Sequence, residues 1–262
     1  MSTRTRDLLF AAGLRHEPVE KRIRADGVVD STRAVLVWEP RRVTPQYAVP
    51  AADISAPVVA GGETLPPPDG LLHPGIPFAA HSTPGQPVTV GGRAGFQLAD
   101  PELDGYVLLD FDAFDGWLEE DEPIHGHPRD PFSRVDVRLT SRRVRIELGG
   151  EVLAESSRAR LLFETLVPTR FYLPREDVRV PLTASERTSY CPYKGEASYW
   201  SAGAHRDIAW SYEAPLADLP MIAGLVAFWD ERVDVFVDGE LRGPPVGDVA
   251  DAMRDEFKEA SS

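Results

Sequence analysis

The chain carries one segment twice, about 125 residues apart. Residues 30–39 (DSTRAVLVWE) align with residues 155–164 (ESSRARLLFE), and the acid, the hydroxyl pair, the Arg-Ala pair and the final Glu all match. Residues 47–54 align with residues 172–178 once one residue is dropped. A period of this length indicates a duplicated domain, because solenoid repeats are only about 20–50 residues long. The alignment predicts two tandem copies, residues 1–129 and residues 130–262.

Short strands and tight turns are the elements that the composition favours. The 262 residues include 24 Pro and 21 Gly, which is typical of a chain with many turns. Gly149-Gly150 separates two short runs, residues 143–148 and 151–155, and this pattern predicts a β-hairpin. Residues 161–163 (LLF) are wholly apolar and predict a strand buried on both faces. Residues 121–132 are rich in proline and are predicted to form a linker.

Helical spacing occurs at the C-terminal end. Val246, Val249, Met253 and Phe257 recur at intervals of three or four residues, which predicts a short helix. We therefore expect a mainly β fold, in which two tandem small antiparallel β domains are followed by a short C-terminal helix.

The charge balance and the cysteine count limit the classes of function. The formal net charge is −14, and an acidic surface repels nucleic-acid phosphates and anionic membranes. No apolar run approaches the roughly 20 residues that a membrane helix needs. Cys191 is the one cysteine, which excludes an internal disulfide and a zinc site built from several cysteines. We expect a soluble cytoplasmic protein that binds neither nucleic acid nor membrane, and its oligomeric state stays open.

The densest polar segment of the chain, residues 188–200, occurs in the second copy alone. Its proline fixes one backbone angle and a glycine three residues later can adopt a positive φ, so we predict a rigid turn that presents Cys191, Tyr193 and Lys194. Lys194 can contact an anion or a carbonyl, or act as a nucleophile if its pKa is depressed. A cysteine beside a lysine can have a lowered pKa. In the alternative interpretation Cys191 is a small buried side chain and Lys194 is solvated.

Arg158 also has two interpretations. Arg158 and Glu164 lie six residues apart, on the same side of a straight strand. Arg158 can grip an anionic ligand, or the two side chains can form an internal ion pair. Arg33 and Glu39 keep the same spacing in the first copy, and this favours the structural role.

Aromatic side chains of the second copy are candidates for a pocket wall. Tyr172 and Trp210, with Trp200 and Tyr212, can surround a ligand, although such residues at strand spacing belong more often to a core.

Two further patterns give weaker signals. In the first copy, residues 81–85 (HSTPG) are a candidate counterpart of residues 191–195, and whether His81 replaces Cys191 in function stays open. Residues 110–116 resemble a calcium loop, but the third acid, the glycine and the terminal glutamate do not follow the required spacing. His125 and His127 lie in the proline-rich linker, where a surface loop is the favoured interpretation. We expect no metal and no cofactor.

Four motifs together resemble a known family. They are AESSRA at residues 154–159, YLPREDV at 172–178, CPYKGEASY at 191–199 and IAWSY at 208–212. On these motifs the chain is identified as a member of the domain of unknown function 427 family, also filed as nucleotidyltransferase-like, and is similar to its long bacterial form with two tandem copies. The resemblance implies a fold of the β-tent group. That group often holds zinc with paired Cys-x-x-Cys motifs, which this chain lacks, so zinc is not carried over.

The favoured hypothesis for function is a binding module. The second copy would hold a small anionic or carbonyl-bearing ligand in a mostly apolar pocket. The residues expected to contact the ligand are Arg158, Tyr172, Tyr193, Lys194 and Trp210.

Two alternatives stay open. The chain can be an enzyme that uses Cys191 or Lys194 as nucleophile, with Glu196 or Tyr193 as proton carrier. It can also be a structural or partner-binding scaffold without an active site.

Overall fold

The computed structural model describes residues 11–246 together with 250, 251 and 254. The chain divides into two compact units between Pro131 and Phe132, which we call the first and second units. The predicted mainly β class is confirmed, and no helix in the described ranges reaches seven residues or is long and apolar enough to cross a membrane. The predicted C-terminal helix lies almost wholly outside the described residues.

The first unit contains two antiparallel sheets. Its strands are β1 (Arg15–Pro18), β2 (Ile23–Ala25), β3 (Val29–Ser31), β4 (Val35–Trp38), β5 (Gln46–Pro50), β6 (Val58–Ala60), β7 (Gly85–Val90), β8 (Arg93–Leu98), β9 (Tyr106–Leu109), β10 (Trp117–Glu119) and β11 (Glu122–Ile124). The larger sheet has the order β1-β4-β5-β9-β8-β7-β6 and the smaller one the order β11-β10-β2-β3. Short 3-10 helices span Ala51–Asp53, Pro101–Leu103 and Phe111–Ala113.

The second unit also contains two antiparallel sheets. Its strands are β12 (Val135–Leu139), β13 (Val144–Leu148), β14 (Glu151–Ser156), β15 (Arg160–Glu164), β16 (Val167–Leu173), β17 (Thr183–Cys191), β18 (Gly195–Ala202), β19 (His205–Ser211), β20 (Val226–Phe228), β21 (Asp234–Val237) and β22 (Glu240–Arg242). The larger sheet has the order β12-β15-β16-β20-β19-β18-β17 and the smaller one the order β14-β13-β21-β22. Short 3-10 helices span Arg175–Asp177 and Pro220–Ile222.

The two units share one strand order. Numbering the strands of each unit from its own first strand gives the same seven-stranded order, 1-4-5-9-8-7-6, and the same four-stranded order, 11-10-2-3. The register between strands also relates individual positions, because Val35 pairs with Ala48 in the first unit as Arg160 pairs with Tyr172 in the second. Ala48, and not Tyr47, is therefore the counterpart of Tyr172, so the residue dropped from the alignment lies before this strand.

Each seven-stranded sheet has two apolar faces, because successive side chains of a strand point to opposite sides. In the second unit Phe171 and Leu173 pack with Val144 and Ile146 of the four-stranded sheet. Tyr172 lies between them in sequence and faces a second apolar cluster on the other side. The first unit has the same arrangement. The candidate site lies on the second face.

The turns follow the sequence closely. Gly149 and Gly150 have φ values of 59° and 87° and connect β13 to β14, so the predicted hairpin is confirmed. Two positive φ values in a two-residue turn match the right-handed twist of the flanking strands, and glycine tolerates them.

Two expectations from the sequence are wrong. Of residues 161–163, only Leu162 is buried, because β15 lies next to the edge strand β12 and its other face is partly open. Within the predicted linker, residues 122–124 form β11, which pairs with β10.

Candidate functional site

A cavity of about 240 Å³ lies on the second apolar face of the seven-stranded sheet in the second unit. Its walls are mainly aromatic and aliphatic, with a few polar groups among them. The lining residues are Leu162, Glu164, Val167, Arg170, Tyr172, Ser189, Cys191, Lys194, Ala197, Tyr199, Trp210, Tyr212 and Trp229.

Strand periodicity explains why these side chains converge. Five successive chain segments each contribute residues two apart, which lie on one face of a sheet. These pairs are 162 and 164, 170 and 172, 189 and 191, 197 and 199, and 210 and 212. The cavity is therefore a property of the whole sheet face, and no single motif encodes it.

Lys194 is the cation of the cavity and is paired. It ends the turn between β17 and β18, where its N–H donates to the Cys191 carbonyl at 3.2 Å. Its Nζ donates to Oε2 of Glu164 at 2.5 Å, and the two side chains are 9% and 10% exposed. Burial alone would lower the pKa of Lys194, but the Glu164 carboxylate, with Cys191 and Tyr172, raises it above its usual value. Lys194 is thus a stable ammonium ion, which argues against a nucleophilic amine.

Three tyrosine hydroxyls line the cavity, and they differ in their partners. Tyr172 accepts a hydrogen bond from Nε1 of Trp210 at 3.1 Å, and Tyr199 shares one with Ser189 at 2.8 Å. Burial raises the pKa of Tyr172 to about 12. The hydroxyl of Tyr212 makes no hydrogen bond to the part of the chain that the structure describes, although its residue is only 5% exposed.

The Tyr212 side chain lines the cavity together with Tyr172, Cys191 and Glu164. Burial raises its pKa above the ordinary value, and Tyr172, Cys191 and Glu164 raise it further. Tyr212 and Lys194 line the same cavity, so a ligand oxygen there can accept hydrogen bonds from both side chains.

Arg170 is a second buried cation at the cavity wall. It donates two hydrogen bonds of 2.8 Å to Glu231, and its guanidinium lies over the rings of Trp210 and Trp229 at 5.7 and 5.4 Å. Asp230 lies 3.8 Å from it. Carboxylates therefore balance its charge, and its contacts with the two indoles hold the aromatic wall.

The structure brings together four of the residues predicted to form the site. Tyr172, Cys191, Lys194 and Trp210 all line the cavity. Cys191 is half-buried, and Glu164, which was expected only as a partner of Arg158, is the partner of Lys194.

The other predicted site residues lie outside the cavity. Arg158 has an exposed side chain and pairs with Asp177 at 2.9 Å and with Glu176 at 3.2 Å, so the expected pair with Glu164 is wrong. Glu196 is exposed, since it alternates in β18 with the inward-facing Ala197. Tyr193 is half-buried and does not line the cavity.

Several lining residues were not predicted. No separate sequence signal marked Ser189, Tyr199, Arg170 and Trp229. From the sequence alone, Arg170 is expected to be a solvated residue of a strand. The period of two that they share with the predicted residues was the available signal.

The first unit has a different arrangement at the corresponding place. Glu39 is the counterpart of Glu164, and its Oε1 contacts Nδ1 of His81 at 2.9 Å and Arg42 at 3.1 Å. Its Oε2 accepts from the backbone N–H groups of Ser82 and Thr83 at 2.9 and 3.0 Å. His81 therefore takes the place of Lys194 as partner of the carboxylate, and not the place of Cys191.

Smaller side chains occupy the positions of the first unit that correspond to three cavity residues of the second. The strand register sets Ala48, Phe96 and Leu98 at the positions of Tyr172, Trp210 and Tyr212. Phe96 stacks on His81 with ring centroids 3.7 Å apart. The Glu39–His81 pair is therefore enclosed by neighbouring side chains of the first unit.

No grouping of His, Cys, Asp or Glu side chains that could hold a metal ion occurs within the described ranges. The lining residues offer hydrogen-bonding groups, aromatic rings, the Lys194–Glu164 ion pair and the Cys191 thiol.

The chain matches a protein-family model over part of its length. Residues 136–239 match the family model described as Domain of unknown function (DUF427), with the label NTP_transf_9, which supports the family resemblance across the cavity and its strands. No curated protein matches the chain.

Proposed function

We propose that the second unit binds a small organic ligand in the aromatic cavity. The observation that carries the proposal is the Tyr212 side chain, which lines the cavity together with Lys194 and whose hydroxyl has no hydrogen-bond partner among the described residues. A ligand oxygen at this place would satisfy the hydroxyl and reach the ammonium of Lys194. The ligand would be small and anionic or carbonyl-bearing, with a flat apolar body against the aromatic wall.

The size of the cavity limits the ligand. A cavity of about 150 Å³ holds benzene, and that of the second unit measures about 240 Å³. It is smaller than the roughly 300–1,000 Å³ of pockets for drug-sized compounds. One or two fused rings with one polar substituent would fit.

A thermal-shift screen of small aromatic acids, amides and ketones tests the proposal. We expect a subset to raise the melting temperature, because a ligand that binds only the folded state stabilises it. For a compound that binds, Tyr212→Phe should weaken affinity by about fivefold, since one hydrogen bond is worth roughly 1 kcal/mol.

Tyr106→Phe is the matched control, because Tyr106 lies in the first unit and its hydroxyl donates to the Arg33 carbonyl. This variant should bind as the wild type does. A screen without any stabilising compound, or equal binding by Tyr212→Phe and wild type, would contradict the proposal.

An enzyme that uses Cys191 is the second candidate. The observation that favours it is the half-buried thiol at the cavity wall beside Lys194. An activated thiol should react with iodoacetamide faster than glutathione does at pH 7. A slower reaction would leave Cys191 as a wall residue.

We also infer that the chain is a tandem duplication of a β-tent-type unit. The shared order of eleven strands supports this, together with the sequence repeat. The second copy would carry the ligand site and the first copy would serve the fold.

A further inference from the structure

We propose that the ligand of the cavity is an uncharged carbonyl compound rather than an anion, an inference that rests on the proposed binding function. The juxtaposition that carries it is an already neutral ion pair beside an unpartnered hydroxyl donor.

The charges of the cavity are balanced before any ligand enters. Lys194 and Glu164 are in contact at 2.5 Å, and both are about nine-tenths buried. Arg170 and Arg242 are balanced by Glu231 and Asp230. An anion would therefore add one uncompensated charge to apolar surroundings, which is costly.

The hydrogen-bonding capacity of the cavity is not balanced. An ammonium group has three donors, and Nζ of Lys194 uses one, toward Glu164, with no second acceptor among the described residues. Tyr212, which lines the same cavity, supplies a further hydroxyl donor. A carbonyl oxygen has two lone pairs and can accept from both without bringing charge.

In the first unit, the corresponding carboxylate has its hydrogen-bonding capacity fully used. Glu39 accepts on both oxygens, whereas Glu164 has one partner, on Oε2, and none on Oε1 within the described chain. The second unit thus retains donor and acceptor capacity around a neutral pair, as a polar neutral ligand such as a primary amide requires.

Calorimetric titration with matched amides and carboxylates tests the inference. The probes are benzamide and benzoate, nicotinamide and nicotinate, and indole-3-carboxamide and indole-3-carboxylate, at pH 7.5. In each pair that binds, the amide should bind wild-type protein about tenfold more tightly, because it adds no charge. A tighter carboxylate would overturn this inference and leave the proposed binding function standing.

Glu164→Gln should abolish the preference for the amide. The substitution leaves the Lys194 charge uncompensated, so the carboxylate should bind about tenfold more tightly than to wild type. Glu176→Gln is the control, since Glu176 pairs with exposed Arg158 outside the cavity, and it should keep the amide preference.

The other possible results also test the inference. An unchanged preference in folded Glu164→Gln, checked by circular dichroism, would overturn the inference. If Glu164→Gln does not fold, the wild-type amide and carboxylate affinities decide alone. Binding of no member of any pair would contradict both the proposed function and the inference.

Discussion

Glu39 and Glu164 are the same position in two units of one topology, and they have different surroundings. Glu39 is fully buried and is held by His81, Arg42 and two backbone N–H groups. Glu164 has Lys194 alone, at the wall of a cavity. A buried carboxylate with all its lone pairs occupied contributes to the fold, whereas one with a free oxygen beside a cavity can take part in binding. The difference shows why the second unit is the candidate for function.

Glu39→Gln gives the largest expected effect on stability. The amide leaves the buried Arg42 without a counter-charge and cannot accept all four hydrogen bonds, so we expect a loss of about 3–5 kcal/mol in the free energy of unfolding. Glu164→Gln should cost less, about 1–3 kcal/mol, because only Lys194 loses its partner. Urea denaturation followed by circular dichroism measures both. Equal costs would show that the two carboxylates do not differ as described.

A second difference between the units is the network around Arg170. Gln46 stands at the corresponding position of the first unit, and its Oε1 is buried without a hydrogen bond. In the second unit Asp230 lies between Arg170 and Arg242. The first unit thus has a neutral side chain where the second has a buried cluster of charges.

The stability of the second unit should depend on pH through Asp230. Burial raises the pKa of Asp230 to about 6, above its value of 3.8 in an unfolded chain. Between these two pH values the folded state holds the proton more tightly, so this group adds stability as pH falls from about 7 to 4 and loses it as pH rises through 6. The expected change is on the order of 2 kcal/mol.

Asp230→Asn is the test of this pH dependence. The variant should lack the contribution, so the difference in unfolding free energy between wild type and variant should change between pH 4 and pH 7. A constant difference over this range would show that Asp230 titrates normally.

The sequence predicts local features of this protein well and long-range partners poorly. The hairpin at Gly149-Gly150 and the turn that presents Cys191 and Lys194 depend on neighbouring residues, and both are present. The partner of Lys194 lies 30 residues away on β15. That contact depends on the strand order, since β16, β20 and β19 lie between β15 and β18 in the sheet.

The Arg158 interpretation failed for the same reason. A spacing of six residues along one strand suggested Glu164 as the partner of Arg158. However, β15 begins only at Arg160, so Arg158 lies outside the strand. The 3-10 helix Arg175–Asp177 supplies the carboxylate instead. Such contacts depend on the strand register and on the path of the loops, and neither can be derived from a single sequence.

A feature that both units share gives the smallest expected effect. Arg33 pairs with Asp53 in the first unit as Arg158 pairs with Asp177 in the second, and a serine two residues before each arginine accepts from its backbone N–H. We call this arrangement the Ser-Arg-Asp clamp. Its occurrence in both units indicates a structural role.

Asp53→Asn and Asp177→Asn should each cost no more than about 1 kcal/mol, because solvent screens the exposed arginine partners. Arg33, then Ser31, lowers the pKa of Asp53, and Ser156, then Arg158, lowers that of Asp177. The stabilisation is therefore present above the ordinary aspartate pKa and is lost as pH falls through the lowered values. Unfolding measured at pH 7 and pH 3 should show the cost of both substitutions shrinking in parallel. If Asp177→Asn also abolished ligand binding while leaving stability unchanged, the clamp of the second unit would belong to the site and not to the shared framework.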